Sequence, residues 1–111
     1  MLETPIECGG LRLDPATLEV SLHGRSIRLP LREYELLRFL MVHADRVLTP
    51  EQIYSTVWGQ SGGHRSNTLV VHIKRLRVRL GDNQENPRII KTVRGVGYRL
   101  IPPSRATHPP P

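Results

Sequence analysis

The chain has one cysteine, Cys8, in 111 residues. No internal disulfide can form, and the sequence reads as that of an intracellular, cytoplasmic protein. Cys8 and the five scattered histidines, His23, His43, His64, His72 and His108, show none of the spacings that gather metal ligands. No apolar run approaches the roughly 20 residues needed to cross a bilayer. The first ten residues lack the basic start and apolar stretch of a secretion signal. Catalytic grammar is also missing. Glu33 and Glu35 lie two apart on a predicted helix and point in different directions, which disfavours acid–base chemistry. No nucleophile–histidine–acid set is evident. Gly95 and Gly97 belong to a hairpin turn, not to a strand-to-helix loop that cradles phosphate. The expectation is a protein that is not an enzyme and needs no metal or cofactor.

What is present is positive charge, unevenly placed. The formal net charge is +6. Residues 1–63 hold six arginines against eight acids, whereas residues 64–101 hold nine cations against Asp82 and Glu85. A chain polarised in this way suits a polyanion, either nucleic acid or an anionic membrane. Its length fits one domain.

Residues 10–29 alternate apolar and polar: Leu11 and Leu13, then Leu18, Val20 and Leu22, then Ile27 and Leu29. Asp14-Pro15 and His23-Gly24 mark turns, so a small antiparallel sheet with one buried face is predicted. Residues 1–9 read as a linker or a short first strand. From Glu33 to Ala44 the period becomes helical, with Tyr34, Leu37, Leu40 and Met41 on one side and Leu36 and Phe39 widening it. Arg46-Val47-Leu48 reads as an extended connector. Thr49 then opens a second helix as N-cap, with Pro50 in its first turn and Gln52 closing a capping box. That helix carries Ile53, Val57 and Trp58 and stops at Gly59.

The third helix, residues 66–80 (SNTLVVHIKRLRVRL), organises the rest. At about 100° per residue, Leu69, Ile73, Leu76 and Leu80 fall within roughly 60° of one another and make a core-facing stripe. Asn67, Val71, Lys74, Arg75 and Val78 fall opposite, with Thr68, His72, Arg77 and Arg79 on the flanks. Ser66 or Asn67 can cap its start, and Gly81 follows its end. Residues 88–94 and 98–101 read as two strands joined by a turn in which Gly95 and Gly97 relieve the cost of positive φ. Arg94 stands at the tip. Sheet, three helices and hairpin together are the plan of a winged helix-turn-helix of the α+β class, occupying residues 10–101. Residues 102–111, PPSRATHPPP, are expected to form a disordered tail. A helix fits the major groove of DNA, and an arginine on a narrow finger fits the minor groove.

Four segments, residues 29–37 (LPLREYELL), 46–59 (RVLTPEQIYSTVWG), 71–80 (VHIKRLRVRL) and 87–100 (PRIIKTVRGVGYRL), carry a strong resemblance to the DNA-binding effector domain of OmpR/PhoB-family response regulators. The VHI-x-RLR and TVRG-x-GY strings are specific in combination. The resemblance implies sequence-specific binding to promoters and control of transcription in a bacterial two-component phosphorelay. It implies base contacts from Val71 and Arg75, with Asn67 at the groove end of the same helix. It implies phosphate contacts from Thr68, His72, Lys74, Arg77, Trp58, Thr92 and Tyr98, and minor-groove entry by Arg94. Gln60, Ser61, Gly62, Gly63, His64 and Arg65 correspond to a loop that meets RNA polymerase holoenzyme. Head-to-tail pairing on direct repeats is a further implication, as is an N-terminal receiver domain through which a sensor kinase acts. The chain starts so close to its first strand that it reads as an excised output domain.

Each sharp reading has a plainer one beside it. Trp58 could be a lid on the core, His72 a helix-surface histidine, and Tyr98 a ring packed in the wing with its hydroxyl free. Cys8 reads as an idle thiol. Three positions depart from the family pattern. Pro30 replaces a threonine and removes a capping box with Glu33. Val70 and Asn67 replace a common aspartate and arginine at the groove end of the third helix. Two alternative functions stay open: a winged-helix regulator without a receiver, stand-alone or membrane-anchored, and a winged helix that binds protein.

Overall fold

The computed structural model describes residues 4–59 and 66–103, Ser66 by its backbone alone. Strands β1 (Ile6–Cys8), β2 (Leu11–Asp14), β3 (Glu19–Leu22) and β4 (Arg25–Ile27) form an antiparallel sheet in sequential order. Leu11, Leu13, Val20, Leu22 and Ile27 are buried as the alternation predicts, but Leu18 is not: it stands in the turn before β3 at φ 63° and is 55% exposed, and Leu29 is half-buried. The β3–β4 turn uses His23 and Gly24, both at positive φ (50° and 82°), as a two-residue hairpin turn requires. The short first strand exists and pairs with β2, from Ile6 opposite Leu13 to Cys8 opposite Leu11.

Helix α1 (Leu31–Val42) buries Tyr34, Leu36, Leu37, Leu40 and Met41. Pro30 is its N-cap residue and supplies no side-chain cap. Helix α2 (Pro50–Trp58) has the full capping box: the Gln52 N–H donates to Thr49 Oγ1 at 3.1 Å, and the Thr49 N–H donates to Gln52 Oε1 at 2.9 Å. Helix α3 (Ser66–Leu80) closes the three-helix core with Leu69, Ile73, Leu76 and Leu80, each at most 3% exposed. Burial of one such side chain contributes about 1.5–3 kcal/mol, so this stripe is what fixes the rotation of α3 about its axis.

The C-terminal part differs from its sequence reading in three ways. Val47–Leu48 is a strand, β5, and not only a connector. It pairs with β7 (Gly97–Leu100), which pairs with β6 (Ile90–Val93), giving a three-stranded sheet in the order β5-β7-β6. The wing hairpin is thereby rooted in the core. The first wing strand also starts later than expected, at Ile90; Arg88 and Ile89 precede it and give their N–H groups to a side chain. Finally, Pro103 is fully buried, so the packed domain extends past Ile101. The rest of the expected tail, residues 104–111, lies outside the described residues.

Candidate nucleic-acid interface

With its apolar edge held in the core, α3 presents Asn67, Val70, Val71, Lys74, Arg75 and Val78 to solvent. The exposures of Val70 (48%), Val71 (39%) and Val78 (67%) are large for valine. Apolar side chains interleaved with cations suit a partner that offers both phosphate and apolar groups, as a DNA groove does. The opposite-face assignment made from the helical period therefore agrees with the exposures.

One flank of this face is an aromatic column between α2 and α3. Trp58 stacks on Tyr54 at 5.0 Å and 16°, and meets the His72 ring edge-on at 5.0 Å and 82°. The Arg32 guanidinium lies 5.9 Å from the Trp58 ring centroid, held there by bonds to the Val57 carbonyl (2.7 Å) and Glu35 (2.9 Å). Trp58 thus has the packing role that its plainer reading gave it. His72 Nδ1 lies 2.7 Å from the Thr68 carbonyl oxygen. A carbonyl can only accept, so Nδ1 carries the hydrogen. Nε2 then donates to an anion only when the ring is an imidazolium.

Two of the flank cations are engaged by protein groups, and one of them, Arg77, is buried. Arg77 is 7% exposed. Its Nε and Nη2 donate to the Ile90 carbonyl at 3.0 and 2.7 Å, and Nη2 also donates to Thr92 Oγ1 at 2.9 Å. The expected surface cation is therefore turned inward, where the Ile90 carbonyl and the Thr92 hydroxyl on β6 accept its N–H groups. Burial pushes its pKa below the ordinary arginine value, opposed by Asp82 and then Tyr98. Guanidinium still stays charged. Arg79 Nε donates to Glu33 Oε1 at 2.9 Å, and the Glu33 side chain is 3% exposed. Arg79→Ala leaves that carboxylate buried without its partner. It should cost about 1–3 kcal/mol of stability and leave the selected DNA motif unchanged, as urea unfolding and binding-site selection can show. An altered motif would move Arg79 to the DNA face.

On the wing, Thr92, Arg94 and Val96 are exposed or half-exposed and Tyr98 is half-buried. Gly95 turns the tip at φ 77°. Gly97 does not have positive φ, contrary to expectation; it is the buried first residue of β7. One residue was missed altogether. The Asp82 carboxylate accepts the backbone N–H groups of Arg88 (2.8 Å), Ile89 (3.1 Å) and Ile90 (2.9 Å). Its only sequence signal is an acid directly after the helix-ending Gly81. Residues 60–65, expected to form a loop that meets RNA polymerase, lie outside the described residues. No cluster of potential metal ligands occurs among the described residues, and none of their helices is long and apolar enough to cross a membrane.

Residues 24–100 match the family described as "Transcriptional regulatory protein, C terminal". The chain is 44% identical over 98 residues to the phosphate regulon transcriptional regulatory protein PhoB of Pseudomonas aeruginosa, covering 88% of this chain and 42% of that protein. It is 43% identical over 95 residues to the sensory transduction protein RegX3 of Mycolicibacterium smegmatis, covering 86% of this chain and again 42% of the relative. The chain thus spans about two-fifths of the length of these relatives. Among solved structures, the RstA DNA-binding domain of Klebsiella pneumoniae in complex with its RstA box superposes with a TM-score of 0.80 at 33% identity, covering 90% of this chain and 99% of that one. The Thermotoga maritima response regulator DrrB, an OmpR/PhoB homologue, gives 0.78 at 34% identity, covering 89% of this chain and 45% of that one.

Proposed function

The chain belongs to the OmpR/PhoB family of response-regulator DNA-binding domains, and from that premise we propose that it binds double-stranded promoter DNA sequence-specifically and regulates transcription. The observation that carries the reading is the exposed strip of Val71, Lys74 and Arg75 on a helix whose opposite edge is locked in the core. Such a helix enters a major groove about 12 Å wide without disturbing the fold. Val71, Arg75 and Asn67 read base edges. Thr68, His72, Lys74, Thr92 and Tyr98 meet phosphates, and Trp58 approaches one from the end of α2. Arg94 enters the minor groove. Arg77 serves the wing first, since its Nε and Nη2 are already engaged.

The relatives' greater length supports a longer protein in which a receiver domain, addressed by a sensor kinase, precedes this one in the cytoplasm. Two such chains then pair head-to-tail on direct repeats. The loop from Gln60 to Arg65 faces RNA polymerase holoenzyme. Alanine substitutions across it should spare operator affinity while lowering activated transcription; an equal loss of operator affinity would reassign the loop to DNA.

Selection from random duplexes tests the central reading and yields the site. On the selected duplex, with about four to seven cations of the basic half meeting phosphates, log K against log[salt] should fall with a slope of roughly −4 to −6. A slope near zero, or no enriched sequence, overturns DNA binding.

A further inference from the structure

Ile90 opens the wing strand β6, and both of its backbone polar groups are held by the end of α3. Its carbonyl accepts two bonds from Arg77, in the last turn of the helix. Its N–H donates to Asp82 Oδ2 at 2.9 Å. Asp82 is itself tied to that turn, because its N–H donates to the Arg77 carbonyl at 2.8 Å. Arg77 reaches one alternate residue further and bonds Thr92 Oγ1. The intervening loop folds back on the same helix through Gln84 Nε2, which donates to the Lys74 carbonyl at 3.0 Å. The β5-β7-β6 ladder joins the wing strands to one another and to β5, and apolar packing of Ile89, Ile90 and Leu100 buries the wing root, but the ladder does not include α3 and the packing is non-directional. Charge-assisted hydrogen bonds to one main-chain unit fix both position and tilt.

We propose that Arg77 and Asp82 are positioning residues that brace the wing against the recognition helix and so set the spacing between the two parts of the DNA site. The inference rests on the DNA-binding reading above. Arg75 and Arg77 are two residues apart on one helix, about 3 Å along its axis but on different faces, so one rigid element carries both the residue that reads the major groove and the brace. Arg94 lies four residues beyond Ile90, a reach of about 13 Å along an extended strand. A tilt of about 10° at Ile90 therefore moves the arginine by about 2 Å, a large part of the roughly 3.4 Å between successive base pairs. Without the brace, Arg94 still reaches a minor groove, but not one fixed distance from the bases that Arg75 reads.

The test uses Asp82→Asn and Arg77→Gln. In Asp82→Asn the remaining oxygen can serve Arg88 and Ile89, while the Ile90 N–H loses its acceptor. Each folded variant is titrated on duplexes that keep the selected major-groove motif and shift the minor-groove flank by one or two base pairs. The unmodified domain should lose about five- to tenfold in affinity per one-base-pair shift, as for a mismatched position. The variants should flatten that dependence to within about twofold while retaining the major-groove motif. In the free domain, Asp82→Asn should also speed hydrogen exchange of the Ile90 amide without matching acceleration in α1. A variant that loses affinity equally on every duplex, with the spacing optimum kept, has a structural role only and overturns the proposal. So does an unmodified domain that enriches a motif but shows no spacing optimum. If Arg77→Gln does not fold, Asp82→Asn decides alone. Failure of the unmodified domain to enrich any sequence refutes DNA binding instead, and the exchange result then still reports whether the brace exists.

Discussion

Gly97→Ala is expected to cost about 2–3 kcal/mol of folding free energy, at the upper end for overpacking a close-packed site. A single methyl is added, at a residue with no positive φ to explain the glycine. The cause is proximity. A Cβ at Gly97 would run into the carbonyl oxygen of Leu48, with the Leu48 carbonyl carbon at 2.8 Å and Thr49 Cα at 3.0 Å. All three are backbone atoms, so no side chain can swing aside. Leu48 pairs with Tyr98 across β5 and β7, and Thr49 is the N-cap of α2. Making room means parting β5 from β7 and shifting the start of α2, so the wing, the connector and a helix cap are strained together. Gly95→Val is the informative contrast. A Cβ added at Gly95 would meet nothing within 4 Å, and the obstacle is φ at 77°, where a β-branched residue is a genuine outlier. That strain sits at the hairpin tip, so Gly95→Val should lower DNA affinity while leaving most of the stability intact. Urea denaturation of both variants, beside duplex titration, separates the two. A Gly97→Ala protein as stable as the unmodified one would refute the close approach. Equal losses of stability and affinity in Gly95→Val would show that the tip is not separable from the core.

The two glycines also show which part of the fold was legible. Both sit in one turn-like string, and the sequence assigned them one role, relief of positive φ. That holds for Gly95, where the requirement is local. It fails for Gly97, where the requirement comes from Leu48, 49 positions earlier. The same division runs through the chain. Thr49, Pro50 and Gln52 write their capping box within four residues, and the structure contains it. Leu69, Ile73, Leu76 and Leu80 declare their face by spacing alone, and all are buried. Arg77 does not declare its own. On a helical wheel it flanks the stripe, and only the Ile90 carbonyl and Thr92 hydroxyl, 13 and 15 residues away, decide that it turns inward. Glu33 and Arg79 meet across 46 positions. Val47–Leu48 is too short to announce itself as a strand until β7 lies beside it. Within the candidate interface, the exposure of Asn67, Val71, Lys74, Arg75 and Arg94 followed from period and turn position. Which of these groups meets a base and which a phosphate depends on the path of a duplex, and residue spacing does not encode that path.

That division can be measured on Arg75, Lys74 and Arg94. Lys74 and Arg75 are neighbours but about 100° apart around α3, and both are exposed. Only one can point straight into the groove. Arg75 stands one turn after Val71, so the two share a strip of base edges. A planar guanidinium can grip guanine through two hydrogen bonds, and valine can pack on a thymine methyl. Lys74 lies towards a rim, where a compact ammonium on a flexible stem suits a phosphate. Arg75→Ala is therefore expected to cost about 1–3 kcal/mol of binding and to relax preference at one or two base positions. Lys74→Ala should weaken binding to all duplexes alike and make the salt slope shallower by about one. Arg94→Ala should reduce preference for an A·T-rich flank, since a narrow minor groove concentrates negative potential where a guanidinium can be inserted. Binding-site selection on the three variants, each followed by a salt titration, gives three distinguishable outcomes: a changed motif, a changed slope and a changed flank. If Arg75→Ala leaves the motif intact while Lys74→Ala alters it, α3 is rotated on the duplex by about one residue, or roughly 100°. Val71 would then no longer share the reading face, and Val78 or Val70 would be the apolar group to test next against a thymine methyl.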